Sequence, residues 1–519
     1  ESSRIMLKIK KKEQNNISYV NIKALYVYCV YYYNNSLLSI MYPSSSSSSS
    51  LLLLLFRITS YLLIILLIFH NVNGELATIQ RYIGINRNKK GTKRFTKWLK
   101  KYGFKLNKYA KIQFDEKHGM YCVTTGPIGQ EEELIRSPNK MLIPPKIPKL
   151  RKKLRQFTEK ERLILRLIYE VRQGKKSKWH IYFTILPTME ELYHPIFWTS
   201  TEFRYLTNSY AYHNLMAKLK LFNKFYDRVV EANLFSPFVN MEELKWATSI
   251  VESRAFTIKK LKGKHRLNNK PFLAPLADML NHDPETEVGW KLGAIDEEDS
   301  IKEDKTFFRI FTLRPYNHKG KQLMNNYNSA LSSIDLLMNY GFAHTDPSVY
   351  DHLPLQIDIP KTSKLLEERK MIREFMNISN SIALHWNTPV PTDLINLVLI
   401  IQMTEDEVTK SVDEEKLIIM ESEEHLQSAY ELILGTLDNL KVGYSDTLSW
   451  DNEDESSYDQ LQKHRIMYAK RVVKNEAKVL DSNIEKIKML IDGEDINNNL
   501  HRNNNDEEDD DDDTSKEDL

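Results

Sequence analysis

Cysteine is almost missing from this chain: Cys29 and Cys122 are the only two in 519 residues. So few thiols exclude a disulfide scaffold and a cysteine-rich zinc site, and make a reducing compartment the simpler setting. No H-E-x-x-H or H-x-H pairing accompanies the histidines, and no G-x-S-x-G elbow presents a serine nucleophile. The GKKS at 174–177 lacks the upstream glycine of a phosphate loop. Zinc hydrolysis, serine hydrolysis and nucleotide hydrolysis therefore have no motif to stand on. Zinc-finger spacing, an aromatic RNA-binding signature and a coiled-coil basic region are also lacking, so direct nucleic-acid binding is not expected.

What is there exceeds one ordinary domain, and the length suits two or three. Net charge is +3 from 73 basic and 70 acidic residues, but eight of the acids form one run at 506–513. Removing that run takes the balance to +11, so most of the chain is basic. A basic body suits an acidic partner, although surface lysines are commonly only solvated. The closing INNNLHRNNNDEEDDDDDTSKEDL cannot bury enough apolar area to offset ordering, so 493–519 is expected to be a disordered acidic tail.

Residues 1–93 form a low-complexity N-terminal region. After seven serines at 44–50 comes LLLLLFRITSYLLIILLIF at 51–69, about long enough at ~1.5 Å per residue to span a bilayer. It reads as a membrane anchor or as a signal peptide starting at Met41, followed by small residues suited to cleavage. The rival reading is that residues 1 to about 75 are not authentic protein, since Glu1 takes the place of methionine. Location follows from that choice: membrane or secretory route if 51–69 is genuine, cytoplasm or nucleus otherwise.

Patterning begins at RFTKWLKKYGF, where Phe95, Trp98 and Leu99 share a helical face. Short strand-like pieces follow over 109–142. Thr158 and Glu161 have capping-box spacing, and Leu163, Leu167, Tyr169 and Val171 carry a helix to Gly174. Helical material continues to about Phe256, strand-like pieces return over 272–342, and the rest is helical. There, Leu426, Ala429, Tyr430, Ile433, Leu437 and Leu440 form one stripe; Ile466, Ala469, Val473, Ala477, Leu480, Ile484 and Ile487 form another. The fold class is therefore α+β: a β core of short strands split by a helical insertion, plus an all-helical C-terminal domain.

The chemistry centres on PFLAPLADMLNHDPETEVGW at 271–290. Asp278, Asn281 and His282 there could be metal ligands, a hydrolytic group, a cofactor clamp or only a turn. His282 and Asp283 are adjacent, so in an extended segment they point to opposite faces; no metal site is expected. Arg254 in WATSIVESRAF offers a planar fork of donors suited to a carboxylate, or else is a surface or ion-paired arginine.

Four pieces in order, FDEKHGMYCVTTGPIGQEEELIRSPNKML, WATSIVESRAF, PLADMLNHDP and NNYNSALSSIDLLMNYGF, resemble the SET-domain protein methyltransferases. The resemblance is to the subfamily of the plant Rubisco large-subunit lysine methyltransferase, which includes the actin-histidine methyltransferase. It covers about Arg94 to Leu490, with KWHIYFTILPT and HRIMYAKRVVKNEAKVL also similar. It implies a SET catalytic domain at 94–345 with a helical insertion at about 150–245. A helical substrate-binding domain would occupy 346–492.

It also implies S-adenosylmethionine as cofactor and in-line methyl transfer to a protein. Asn281 and His282 would hold the cofactor's adenosine and amino-acid ends, with His282 acting by ring or only by backbone, and Arg254 its carboxylate. Glu116 and His118 would contact it through backbone, with Gly119 permitting close approach, although this loop has fewer glycines than the common version. Tyr327, 13 positions before Tyr340, would supply the central hydroxyl, and Tyr340 the channel wall or a second oxygen. Phe256 stands where lysine-methylating members look aromatic and the actin-histidine branch carries asparagine. Asp278 would stand near the substrate or be simply solvated. The expected activity is protein-lysine N-methylation. The alternatives are protein-histidine methylation and a non-catalytic SET-fold binding module. The partner is a protein substrate such as a histone, actin or another protein; a monomer is expected, with membrane contact only through 51–69.

Overall fold

The computed structural model describes residues 79, 81–116, 118–258, 267–286, 288–294, 306–418, 423–452 and 455–493. The apolar segment 51–69 and the acidic tail from 494 onward lie outside them. No helix among the described residues is long and apolar enough to cross a membrane. The chain divides into a small unit, Glu1–Ile79 with Phe225–Met241, and a large one, Gln80–Lys224 with Glu242–Leu519. Of the small unit, the described residues carry the end of helix Tyr210–Ala232 and the segment after it.

The large unit opens with α1 (Lys89–Lys101), which buries Phe95, Trp98 and Leu99. The Asn88 side chain accepts the Gly91 N–H at 2.8 Å, and Lys100 and Lys101 complement the dipole at the other end. The helix thus starts before the patterned RFTKW, because its first turn, KKGT, is polar and leaves no apolar period to read.

Four strands form one antiparallel sheet in the order β1 (Lys105–Leu106), β4 (Glu133–Pro138), β9 (Thr306–Thr312) and β8 (Val288–Ala294). Between β1 and β4 a separate hairpin is made by β2 (Ala110–Asp115) and β3 (Gly119–Thr124), closing at the pair Asp115 and Gly119. Helices fill the chain between β4 and β5. They include α2 (Glu159–Arg172), α3 (His180–Phe183), α4 (Tyr210–Ala232) and α5 (Met241–Arg254), with a one-turn helix at Ser200–Phe203 and several 3-10 turns between. The expected capping box is formed: the Thr158 hydroxyl takes the Glu161 N–H and Glu161 takes the Thr158 N–H.

After α5 come the antiparallel pair β5 (Ala255–Thr257) and β6 (Pro271–Leu273), then β7 (Asn281–His282). That last strand pairs in parallel with β10 (Met324–Asn325), from a point more than 40 residues later. Two segments far apart in sequence thus cross side by side directly before Tyr327.

From α6 (Ser333–Tyr340) onward the chain is mainly helical, through α7 (Leu366–Phe375), α8 (Thr392–Gln402) and α9 (Glu405–Asp413) to α10 (Glu423–Leu448) and α11 (Gln460–Ile491). The α11 stripe is buried except for Ala477, which is half-buried. On α10 the stripe is narrower than expected: Ala429, Ile433 and Leu437 are buried, but Leu426 and Leu440 are 42% and 38% exposed. One face of a straight helix drifts relative to a fixed spacing, and Tyr444 takes the inward place one turn beyond Leu440.

The all-helical expectation for this region needs a correction. An antiparallel ribbon, β11 (His352–Gln356) with β12 (Ser381–His385), packs Leu353, Leu355, Ile382 and Leu384 inward. The alternation H-L-P-L-Q and S-I-A-L-H carries that period of two, in segments short enough to be lost between helices.

Candidate active site

The crossing of β7 and β10 is locked by one side chain. His282 Nδ1 accepts the Tyr327 N–H at 3.2 Å, and the two rings stack with centroids 5.0 Å apart. Burial lowers the His282 pKa, which suits this acceptor role, and places its proton on Nε2. That Nε2 is buried and has no hydrogen-bond partner among the described residues.

Tyr327 is next held on its other face by Tyr340, 4.8 Å away and nearly parallel at 21°. The Tyr327 hydroxyl donates to the Leu280 carbonyl at 3.1 Å. Burial raises its pKa, so the phenol keeps its proton, and the oxygen's lone pairs remain available to an incoming donor. Burial also pushes Tyr340 up to about 12. The Gly-Phe after Tyr340 has a backbone cause: Gly341 closes α6 at φ +85 and donates to the Leu336 and Leu337 carbonyls.

Asp278 is buried, which overturns the solvated reading. It sits on the 3-10 turn Ala277–Met279, entered through Leu276 at φ +78. A leucine there costs on the order of 1–3 kcal/mol, and sequence patterning gives no sign of it. Asp278 Oδ2 accepts the Tyr182 hydroxyl at 2.7 Å and lies 3.5 Å from Arg254 Nη1. Its Oδ1 is buried without a partner among the described residues. Burial raises the Asp278 pKa, with Arg254 and then Tyr182 opposing.

Arg254 ends α5. Its Nη1 donates to the Asp278 carbonyl at 2.8 Å, while its Nε is buried with no partner among the described residues. Arg254 is thus half-buried and ion-paired with Asp278, with a donor to spare.

Phe256, two residues on, is buried in an aromatic cluster: Phe308 at 4.9 Å, Trp290 at 5.1 Å and Phe272 at 6.3 Å. Trp290 in turn donates Nε1–H to Asn325 Oδ1 at 3.0 Å, tying the four-stranded sheet to the crossing.

These residues enclose a narrow cavity of about 30 Å³, lined by Arg254, Phe256, Asp278, Tyr327 and Tyr340 together with Ser253, Ala255, Trp290 and Asn325. That is room for little more than one or two small groups. The expected channel residues are therefore brought together, and Asn281 and His282 stand on the crossing behind them. Half-buried Asn281 has no side-chain hydrogen bond among the described residues.

The opening turn is not part of this cavity. Exposed Glu116 and half-buried His118 lie in the β2–β3 turn. The Asp115 carboxylate accepts the His118 backbone N–H at 2.6 Å and lies 3.0 Å from its Nδ1. Gly119 has φ +68, and a Cβ there would stand 2.7 Å from Arg87 Nη2. Arg87 donates to Glu191 at 2.7 Å and to the Ile185 carbonyl. Burial lowers its pKa, Glu191 opposes, and the charge of Arg254 lowers it further.

Sequence reading missed Arg87, Tyr182, Trp290 and Asn325. Arg87 and Tyr182 do not line the cavity and precede its residues by long stretches of chain. Trp290 and Asn325 each adjoin a motif and could have been suspected. Among the described residues no group of three His, Cys, Asp or Glu side chains is placed to hold a metal ion.

No family model matches the chain. It is 26% identical over 299 residues to the chloroplastic (fructose-bisphosphate aldolase)-lysine N-methyltransferase of Arabidopsis thaliana, covering 54% of this chain and 57% of that one. With the human actin-histidine N-methyltransferase the identity is 24% over 379 residues, 69% of this chain and 57% of the relative. The chain thus spans about half the length of the curated relatives it matches. Among solved structures, the SET domain of the Rubisco large-subunit methyltransferase bound to lysine and AdoHcy superposes with TM-score 0.62 at 19% identity. That match covers 77% of this chain and 91% of the other. The same Rubisco enzyme bound to AdoMet superposes with TM-score 0.60 at 20% identity. The chain thus shares the SET-domain fold of the Rubisco large-subunit methyltransferase and is similar in sequence to protein-lysine and actin-histidine N-methyltransferases.

Proposed function

We propose that the protein is an S-adenosylmethionine-dependent protein-lysine N-methyltransferase. The observation that carries this reading is the stacked pair Tyr327 and Tyr340 lining the same narrow cavity as the aromatic Phe256 and Trp290. When bound, the cofactor supplies a methyl group made electrophilic by its sulfonium. The residues present fit such a group: Arg254 Nε and His282 Nε2 are buried donors without described partners, and Gly119 leaves a close backbone approach. Arg254 suits the carboxylate, Asn281 and His282 the two polar ends, and the turn at Glu116, His118 and Gly119 a backbone contact.

The chain's own part in transfer is positioning. Tyr327, its proton committed to Leu280, presents an oxygen that accepts from the target amine. Tyr340 and Phe256 bound the narrow space, and the aromatic wall with Trp290 packs against a lysine's methylene stem. Asp278 Oδ1 offers a second acceptor. No side chain need take the proton, since a lysine amine loses it to solvent before attack; alignment and oriented dipoles supply the rate. Phe256, which has no hydrogen-bonding group for an imidazole, is the reason to favour lysine over histidine.

The test is incubation with cell protein and methyl-labelled cofactor, followed by amino-acid analysis. Labelled methyl-lysine is the expected product. Methyl-histidine would favour the actin-type reaction, and cofactor binding without transfer a non-catalytic module.

A further inference from the structure

A groove of about 580 Å³ lies between the end of β4 and helix α2. Its floor is apolar, with Pro145, Ile147 and Leu154 buried. Its rim is basic: Lys146, Arg151 and Arg155 line it and are exposed. Residues 146–156, KIPKLRKKLRQ, hold six lysines and arginines and no acid. Among the described residues, Lys146, Arg151 and Arg155 have no carboxylate partner, whereas the other two cations of the groove do. Arg162 pairs with Glu159 at 3.0 Å, and Lys270 lies 3.9 Å from the same carboxylate. Positive charge beyond what the fold uses is thus collected around an apolar floor.

The groove is coupled to the channel by the backbone. Lys270 directly precedes β6, whose Phe272 pairs with Phe256 of the channel wall. Lys270 is therefore two strand residues and one ladder step from Phe256, roughly 10 Å of backbone. On the groove's other side, Ile143 exchanges hydrogen bonds of 2.9 and 3.1 Å with Leu273, immediately before Pro144 and Pro145. One hairpin carries both the wall of the channel and the edge of the groove.

We propose that this groove receives an acidic segment of the protein substrate close to the residue being modified, an inference that rests on the methyltransferase reading. Unpaired cations call for carboxylates, and the buried Pro145, Ile147 and Leu154 call for apolar side chains between them. Nucleic acid fits less well, because no aromatic ring lines the groove on which bases could stack.

The test uses the full chain and a fluorescent peptide of alternating glutamate and leucine around one lysine, with a glutamine version as control. Anisotropy should show binding of the acidic peptide that weakens with salt. The Arg151→Glu/Arg155→Glu variant should weaken it on the order of tenfold, while Arg151→Lys/Arg155→Lys retains it and cofactor binding stays unchanged. In the methylation assay the reversal should raise KM for the acidic peptide and leave that for the glutamine peptide. Equal binding of both peptides, or no effect of reversal, overturns the proposal. So does single-stranded RNA binding more tightly than the acidic peptide through the same arginines. Tighter peptide binding after neutralising 506–513 within the full chain would also overturn it, by making the chain's own acids the occupant. Transfer without groove-dependent peptide binding sinks the groove alone. Groove-dependent binding without transfer to any protein sinks the enzymatic reading, and with it the word substrate.

Discussion

Tyr327 sits between two rings, His282 at 5.0 Å and Tyr340 at 4.8 Å, with its hydroxyl proton turned toward Leu280. Removing that oxygen while keeping the ring tests positioning with little change in packing. Tyr327→Phe should lower kcat by about 10²- to 10³-fold, the scale of losing one oriented polar group, with cofactor affinity nearly intact. Steady-state kinetics alongside calorimetry separates the two effects. Gly119→Ala should cost about 1–2 kcal/mol of stability, since alanine resists φ +68 and its Cβ meets Arg87; chemical denaturation reads it out. At this scale the sequence was informative where spacing is local. The 13-residue interval from Tyr327 to Tyr340 and the run PLADMLNH marked residues that the fold brings together. Tyr182 was not legible, because its value depends on meeting Asp278 some 96 positions away. The burial of Asp278 depends on the positive φ of Leu276, a conformation no residue type there announces.

Elements carry the constraint one step outward. Glu252, near the end of α5, lies two residues before Arg254 and is buried against two lysines, Lys160 at 2.6 Å and Lys218 at 2.7 Å, and the His194 imidazole, whose Nε2 is 2.9 Å away. Lys218 also donates to the Met338 carbonyl in the last turn of α6, two residues before Tyr340. The cluster thus joins the helix that delivers Arg254 to the helix that delivers Tyr340. Burial works to raise the Glu252 pKa, but the hydrogen bond with His194 and the charges of Lys218 and Lys160 outweigh it and hold the carboxyl far below its usual value. Glu252→Gln should cost about 2 kcal/mol by removing the charged acceptor that partly exposed Lys218 and buried His194 share, measurable as a loss of denaturation midpoint. Helix limits were readable where caps were local, as with Thr158 and Glu161. The cluster was not, because isolated Glu, His and Lys residues on separate helices look like solvated surface. The ribbon β11–β12 escaped for a related reason: five-residue alternations carry little signal beside helices of 26 and 32 residues.

For the large unit as a whole, the long C-terminal helix is the tie. Glu476 on α11 reaches the start of α4, accepting the backbone N–H groups of Tyr210 at 3.0 Å and Ala211 at 2.9 Å and the Tyr444 hydroxyl at 2.7 Å. Burial pushes its pKa from the usual 4.5 up to about 7, with the three donors opposing. The folded protein therefore keeps this proton up to about pH 7, while the unfolded chain releases it near 4.5. Folding takes up a proton between those values, so this group's contribution to stability falls as pH rises through that window and is level above it. Melting curves should show the difference between wild type and Glu476→Gln falling from pH 5 to 7.5; a flat or rising difference would contradict the assignment. The α+β plan of short strands and long helices was legible from alternating periods. The parallel pairing of β7 with β10 was not, since two-residue strands leave no pattern.

The measurement closest to the central claim is mass spectrometry of a protein substrate after incubation with S-adenosylmethionine and either wild type or Tyr327→Phe. A mass increase of one or more methyl groups on lysine with wild type is expected, greatly slowed by the substitution while cofactor binding persists. Methyl transfer at equal rates by both proteins would contradict the role given to the stacked tyrosines, and no transfer by wild type to any protein tested would contradict the function itself.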